Sequence, residues 1–509
     1  MKVTFVCPGD ELLGIQYMSS VLKKNRIDTA LVFDPRLLQD SVLQRTFLAK
    51  AFNTDRNSVV KKIIDTTPDL VAITSNTNNI LWGFNIANKI KEIKNNVFII
   101  FGGPHATAVP ERIISKEFVD FVCVGSGEYA LLDLCQSIQS GEKNFNIPGI
   151  WYKKGRRIMR SDKIYGIDDL DEIPFPDKEL FFLPFPFLKH PYTITTSRGC
   201  PFSCTYCMES VYHKLYRSCR VRPYQRRSVK NVIDELIIAK KKWNIRSVKF
   251  YDELFAINKK WLGDFCHVYK EKIGLPFRCS VHPAVLDNEI VELLKYAGVN
   301  TITMGVESIN GDILKNILQR NCSFNQIKSS MELLKKSKIY FSVDHIFGLP
   351  GESEEDHRKA ALLYSEMRPN NILVYWLVYY PKTAIINYAL KRKLIEQKDI
   401  ELIEEGLGEI SYKNRSKESS KIAYPFFLMF NLIPIRIIPK FIFQFIIKRN
   451  LSRFFKVPFF IIVLKQIFDS LDTRSSRNEQ LKKTLSFIRY GLAFSRKPVA
   501  KSQLRGYDI

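Results

Sequence analysis

The chain has 509 residues, 46% hydrophobic and 25% charged: enough for two or three domains with their own cores, and too apolar for a disordered polypeptide. Its ten cysteines form no regular framework, which excludes a disulfide-built secreted scaffold. The net charge of +25 is uneven: from Lys421 onward about 17 Lys and Arg stand against about 4 Asp and Glu, so about 13 of the 25 charges lie in roughly the last sixth. The basic character therefore belongs to a tail and points to an anionic partner there. No zinc finger, RNA-recognition pattern or aromatic–basic repeat accompanies it, so no nucleic acid is expected. The start, M-K-V-T-F-V-C-P-G-D, reaches acidic and turn residues too soon for a secretory signal, and the expected location is cytoplasmic.

Residues 1–145 alternate short apolar runs with helical patterns. Strands are expected at 3–7, 30–33, 70–74, 97–102 and 121–125, and helices at 11–24, 80–93 and 129–137. That alternation predicts an α/β domain with a doubly wound, Rossmann-like parallel sheet. Such sheets bind ligands outside the carboxyl ends of their strands. There the chain places T-S-N-T-N (74–78), G-G-P-H-A-T (102–107) and G-S-G-E (125–128). Residues 146–190 read as a hairpin at 150–160, turning near Gly155, and an extended acidic linker with two prolines at 167–176.

From 191 to 391 six strand–helix units follow. The strands are expected at 192–197, 247–251, 277–281, 301–306, 340–347 and 372–379. The helices between them are expected at 229–243, 259–273, 287–297, 324–337 and 354–367. Six such units predict a partial (βα)6 barrel of TIM type with functional residues at the strand ends. Residues 392–509 form a basic, mostly helical region with apolar stretches at 422–435, 441–447 and 457–464. Arg436, Lys440, Lys448, Arg449, Arg453 and Lys456 interrupt these stretches, and none reaches the roughly 18 residues of a spanning helix. Two arrangements fit: helices lying in a membrane interface, or a helical cap on the barrel with its basic residues solvated.

Directly after the first barrel strand comes T-S-R-G-C-P-F-S-C-T-Y-C, with Cys200, Cys204 and Cys207 spaced C-x3-C-x2-C. Three thiolates on one loop suit a multi-iron centre with one iron left open. A structural zinc site would bring two C-x2-C pairs or histidines at metal spacing, and here there is one pair and no histidine between the cysteines. Cys219, Cys266, Cys279 and Cys322 lack paired spacing and read as buried free thiols.

The cysteine loop, with Tyr206 before its last cysteine, resembles the signature of the radical S-adenosylmethionine (SAM) superfamily. The resemblance implies a 4Fe-4S cluster on Cys200, Cys204 and Cys207. Its open iron chelates SAM and, reduced by an electron donor, cleaves it to a 5′-deoxyadenosyl radical. Implied SAM contacts are Tyr206, Asp252 and Glu253 in F-Y-D-E-L-F, Glu307 and Ser308 in G-V-E-S, Arg320, and Gly348 and Pro350 in the G-L-P-G-E turn. The sixth-strand turn Y-Y-P-K-T-A departs from the pattern, since relatives usually carry glycine where Lys382 stands.

The front sheet resembles the cobalamin-binding domain that precedes many radical SAM barrels. This implies corrin contacts from Thr74, Ser75, Gly102, Gly103, His105, Gly125, Gly127 and Glu128. In D-E-L-L-G-I, from Asp10, Leu12 stands where D-x-H-x-x-G places a histidine, so the implied cobalamin is His-off. His105 reads as a turn residue rather than a cobalt ligand. The resemblance runs to about residue 400 and implies methyl transfer to an unactivated carbon. The alternatives are oxidative ring formation, a radical SAM enzyme whose front domain no longer holds cobalamin, and a non-enzymatic, membrane-associated iron–sulfur protein. The aromatic, basic tail favours an apolar small molecule, such as a lipid, isoprenoid or porphyrin-like compound, and a peripheral place at the inner face of a membrane.

Overall fold

The computed structural model describes residues 1–9, 11–34, 56–407 and 417–452. Near-continuous apolar runs at the front of the chain pair as strands buried on both faces: β1 (Lys2–Pro8), β2 (Asp28–Asp34), β3 (Leu70–Thr74), β4 (Phe98–Gly102) and β5 (Phe121–Cys123). Crossover helices are α1 (Leu13–Lys24), α2 (Arg56–Asp65) and α3 (Ile80–Ile93), then the short α4 (Pro104–Ala108) and α5 (Pro110–Ile114), and α6 (Glu128–Gln139). Strand order is β2-β1-β3-β4-β5, all parallel. The chain leaves β1 in both directions, so a ligand crevice opens beyond the carboxyl ends of β1 and β3.

The expected hairpin is present as β6 (Ile150–Lys154) and β7 (Arg157–Met159), and it forms the antiparallel edge of the same seven-stranded sheet. The acidic stretch is not an extended spacer. Leu170 and Ile173 are buried, and Asp177 accepts a hydrogen bond from Ser19 (2.6 Å) and pairs with Lys23 (2.7 Å). Its apolar side chains strap it to the sheet.

The second sheet is the barrel: β8 (Tyr192–Ile194), β11 (Val248–Phe250), β12 (Phe277–Val281), β13 (Val299–Glu307), β14 (Tyr340–Phe347) and β15 (Asn371–Trp376), six strands in sequential order and parallel. The first strand ends earlier than its apolar pattern suggests. Ser197–Arg198 (β9) turns to pair antiparallel with Gln225–Arg226 (β10), closing a ribbon around the cysteine loop. The loop leads into α7 (Glu209–Ser218), and α8 (Val229–Trp243), α9 (Lys259–Lys272), α10 (Asn288–Ala297), α11 (Phe324–Ser337) and α12 (Glu354–Met367) cover the outside. Their starts are written locally: Ser228, Asn258 and Asp287 cap α8, α9 and α10, and capping boxes at Ser323–Gln326 and Ser353–Asp356 open α11 and α12.

After α13 (Ile385–Lys391) and α14 (Gln397–Glu404), the apolar tail folds back as α15 (Lys417–Leu432) and α16 (Lys440–Lys448). Both pack on α12, and α15 also touches β15, burying Phe426, Met429, Phe430, Phe443 and Ile447. The described part of the tail is thus a cap on the barrel. Residues 457–464, Arg453 and Lys456 lie outside the described residues. No described helix is long and apolar enough to cross a membrane.

A buried ion pair joins the two sheets. Lys178 Nζ donates to Glu11 Oε1 at 2.8 Å and to the Thr193 carbonyl at 2.7 Å, with both charged side chains 3% exposed. Breaking such a pair from one side costs about 3–5 kcal/mol, whereas replacing both partners with apolar groups costs far less. Lys178→Met should lower stability in denaturant unfolding by that amount, and Lys178→Met/Glu11→Leu should recover most of it. Equal losses in the two variants would contradict this account of the seam.

Candidate active site

The cysteine loop begins with a position only glycine fits. Gly199 has φ +71°, and a Cβ there would lie 1.9 Å from the Pro223 carbonyl oxygen. Beyond it the loop coils: Cys207 N donates to Cys204 O at 3.0 Å, Cys200 N donates to Glu209 Oε2 at 3.2 Å, and a His213 ring nitrogen lies 2.6 Å from Cys200 O. Cys204 is buried, and Cys200 and Cys207 are half-buried. Burial pushes the Cys200 and Cys207 thiols up to about 12. Cys204 is raised by the same cause but opposed by Arg320, whose Nη1 lies 3.8 Å from Sγ. A cationic metal centre deprotonates such thiols outright, and three sulfur donors on one loop fit an iron–sulfur cluster.

Arg320 organises the wall behind the cysteines. Its Nη2 donates to Gly305 O at 2.5 Å, its Nη1 donates to the Tyr206 hydroxyl at 3.4 Å, and Glu307 Oε1 stands 3.8 Å away. A Cβ on Gly305 would fall 2.9 Å from both Arg320 Nη2 and Glu307 Oε1, so glycine makes room for the pair. Glu307 ends β13 at φ +65°, a strained backbone for a residue with a Cβ. Burial raises the Glu307 carboxyl while Arg320 pulls it down. On the next strand, Asp344 is pushed up to about 7 by burial, with Glu307 adding to the rise.

One cavity of about 720 Å³ lies between the two sheets. Thr74, Gly102, Gly103, Gly125, Gly127 and Glu128 line it from the front sheet. Arg198, Gly199 and Glu209 line it from the cysteine loop, and Lys249, Tyr251, Glu253 and Arg278 from the barrel mouth. Two of its glycines are not demanded by protein packing. A Cβ on Gly14 would meet nothing within 4 Å, and one on Gly102 would touch only Cys123 Cβ at 3.7 Å. Bare backbone facing a large cavity fits a bulky planar ligand held at close approach. Leu12, at the position where a lower histidine would stand, lines the same cavity.

Several expected contacts are placed elsewhere. Ser75 bonds to Gly102 O, and His105 is 1% exposed with its ring nitrogens 3.1 Å from Thr77 Oγ1 and from Glu404 O, so neither residue lines the cavity. Asp252 accepts from Thr196 N, Thr196 Oγ1 and Ser197 Oγ, which commits it to holding the end of β8; Glu253 is the carboxylate that faces the cavity. Ser308 Oγ accepts from Asn310 N, shaping the turn after β13. Gly348, at φ +79°, and the buried Pro350 form the turn after β14, braced by Glu352. Lys382 keeps the left-handed backbone of a glycine, φ +62°, while its ammonium pairs with Glu404. Glu209, Arg198, Lys249 and Arg278 were missed in the sequence; Glu209 stands two residues past Cys207, and Lys249 and Arg278 are alternate positions on expected strands.

The radical SAM superfamily model matches residues 194–363, and the B12-binding domain model matches residues 13–135. The chain is a cobalamin-binding radical SAM enzyme. An uncharacterized methyltransferase of Pyrococcus horikoshii, PH0819, is 26% identical over 414 residues, 78% of this chain and 84% of its own. An anaerobic magnesium-protoporphyrin IX monomethyl ester cyclase of Rubrivivax gelatinosus is 23% identical over 405 residues, 75% of this chain and 68% of its own. The fold is similar to the solved structure of the cobalamin-dependent SAM radical enzyme OxsB with aqua-cobalamin bound, at a TM-score of 0.65 and 16% identity, covering 97% of this chain and 84% of that one.

In this radical SAM enzyme Asp344 carries a pH signature. Its folded pKa of about 7 exceeds the unfolded value of 3.8, so the folded state holds the extra proton between those limits and loses stability as pH rises through them. Asp344→Asn removes this dependence. Its stability advantage over the wild-type apo protein should grow by about 2 kcal/mol between pH 5 and pH 8 in denaturant unfolding. A difference independent of pH would contradict the assignment.

Proposed function

We propose that the enzyme transfers a methyl group to an unactivated carbon of a small molecule with an apolar body and an anionic substituent. The observation that carries this reading is the single cavity shared by the front-sheet loops, the cysteine loop and the barrel mouth. Cys200, Cys204 and Cys207 would hold the 4Fe-4S cluster. Tyr206, Glu253, Glu307, Arg320 and the turn at Gly348 and Pro350 would surround SAM. Thr74, Gly102, Gly103, Gly125, Gly127 and Glu128 would hold cobalamin. When bound, these groups supply reductive cleavage of SAM and a methyl carrier, with electrons from an external donor.

The chain's own residues position and exclude. Arg320 neutralises Glu307 and steadies Tyr206 beside the cysteines. Glu128 and Arg198, paired at 2.6 Å, tie the last front-sheet loop to the cysteine loop. Leu12, Leu13 and Met18 keep the cavity floor apolar. At the barrel mouth Lys249 lies over the Tyr251 ring at 4.3 Å, with Arg278 on the adjacent strand. A ring above a cation suits an apolar skeleton ending in a carboxylate or phosphate.

Oxidative ring formation is the second reading, favoured by similarity to the porphyrin ester cyclase. Anaerobic reconstitution should yield about four irons and about one cobalt per chain. Gly102→Leu, whose side chain projects into the cavity, should abolish cobalt retention and leave the iron in place. Cys204→Ala should abolish 5′-deoxyadenosine formation. A Gly102→Leu protein with undiminished cobalt, or a wild type that takes up none, would overturn the cobalamin half of the reading. Once a substrate is in hand, a dehydrogenated or ring-closed product without added methyl would favour the cyclase.

The cap also supports peripheral membrane association. Ile437, Phe441 and Phe445 are 91%, 65% and 55% exposed, and Lys440, Lys448 and Arg449 lie beside them. Phe441→Ser/Phe445→Ser should reduce sedimentation with phosphatidylglycerol vesicles several-fold, and added salt should weaken wild-type binding. Wild-type protein that stays in the supernatant at low salt would remove the membrane from the account.

A further inference from the structure

On β14 side chains alternate, so Asp344 and His345 take opposite faces, and His345 packs toward the helices outside the barrel. Its ring is 2% exposed. The Tyr364 hydroxyl meets Nδ1 at 2.9 Å, and Nε2 has no hydrogen-bond partner. The turn after β14 ends in Glu352. Its Oε2 accepts from the N–H groups of Gly348 and Leu349, at 2.8 and 3.2 Å. Its Oε1 lies 3.7 Å from His357 Nδ1, beyond hydrogen-bond range. His357, in the second turn of α12, is 4% exposed, and its Nδ1 also has no hydrogen-bond partner.

One ligating atom from each of His345, Glu352 and His357 lies within 4.8 Å of the other two. Two deeply buried imidazoles, each with an unpartnered nitrogen, and one carboxylate therefore cluster within a span that one metal ion could bridge. Buried polar groups are ordinarily satisfied, so each such nitrogen calls for an explanation. The surroundings supply no other partner: Phe347 and Phe430 contact the His345 ring, and Phe347 and Phe426 the His357 ring.

We infer that His345, Glu352 and His357 form a binding site for a divalent first-row transition ion, with Zn²⁺ the best fit. Two imidazoles and a carboxylate are its borderline donor set, whereas Mg²⁺ and Ca²⁺ demand oxygen ligands. Tetrahedral geometry needs ligand atoms about 3.4 Å apart, which side-chain shifts of under about 1 Å provide. Tyr364 is placed to accept from His345 Nδ1–H, which fixes the tautomer that leaves Nε2 free to ligate. The site lies at the amino end of α12, whose dipole opposes a cation; Glu354, Glu355 and Asp356 in the first turn offset that. The ion would pin the turn at 348–352 to both β14 and α12. The cysteine loop contributes nothing to the site, so the inference stands apart from the catalytic reading.

The test uses the full chain with Cys200, Cys204 and Cys207 replaced by serine, so that no iron–sulfur centre contributes. After chelation and dialysis the protein is titrated with Co²⁺ and read by its visible ligand-field bands, then challenged with Zn²⁺. The expected result is about one Co²⁺ per chain, displaced by Zn²⁺, and absent from the same protein carrying His345→Gln/His357→Gln. Elemental analysis of the otherwise wild-type protein with and without His345→Gln/His357→Gln gives a second reading if the serine variant fails to fold. There the pair of substitutions should remove about one non-iron equivalent and leave the iron count unchanged. A folded protein that shows no Co²⁺ bands, a stoichiometry indifferent to the two histidines, or no non-iron metal lost between the pair would overturn the site. Each of these results would leave an ordered water as its occupant.

Discussion

A buried ammonium sets the relation between the two halves of this molecule. Lys178 reaches from the strap to Glu11, in the loop after β1, and to the Thr193 carbonyl, in the first barrel strand. Its ammonium lies over the Tyr192 ring, 4.6 Å from the centroid. A charge pair this deep is tolerated only in tight geometry, so it holds the carboxyl end of β1 at a fixed place over the barrel. Glu128 with Arg198, and Glu404 with Arg112 and Lys382, repeat the tie at other points of the seam. The consequence is functional. Parallel sheets offer ligand sites only at their carboxyl ends, and these ties turn both ends toward one cavity.

Within the barrel the corresponding constraint is Arg320. A guanidinium with a thiol, a phenol, a carboxylate and a backbone carbonyl around it ties the cysteine loop to the end of β13. The cost appears as backbone strain at Glu307, held by its neighbours on both sides. Lys382 shows a similar exchange. It takes a conformation that favours glycine, and its side chain recovers part of that cost in the pair with Glu404.

What was legible in the sequence divides along physical lines. The alternation of apolar runs and helical patterns placed the six barrel strands and the outer helices α8 to α12, because those signals act over a few residues, but it missed α7 behind the cysteine loop. The cysteine spacing was legible because a metal centre constrains the chain locally. Partners far apart in the chain were not. Nothing near Ile150 says that its hairpin extends the front sheet through Phe121–Cys123. Asp252 reads as a free carboxylate until the first-strand turn, 55 and 56 residues away, folds over it. His105 looks like a loop histidine, and its second nitrogen finds a carbonyl 299 residues distant. The same limit hid Arg198 and Arg278, whose roles exist only once two sheets meet.

The electrostatics of the rim point one way. Cys200 and Cys207 are driven up to about 12 and Glu209 to about 7, and Glu253 and Glu307 are raised as well, each first by burial. Every one of these groups is penalised in its anionic form. Arg320 relieves Cys204 and Glu307, whereas no cation offsets the rise at Cys200, Cys207, Glu209 or Glu253, of which the two glutamates line the cavity. A protein does not gain stability by gathering buried acids that resist ionising. Under the proposed assignment the arrangement makes sense, because positive charge would arrive with the ligands: an iron centre on the cysteines, and the sulfonium and ammonium of SAM near the carboxylates. On that assignment these acids and thiols are one half of an ion pair, and the cofactors would supply the counter-charge that the fold itself leaves out.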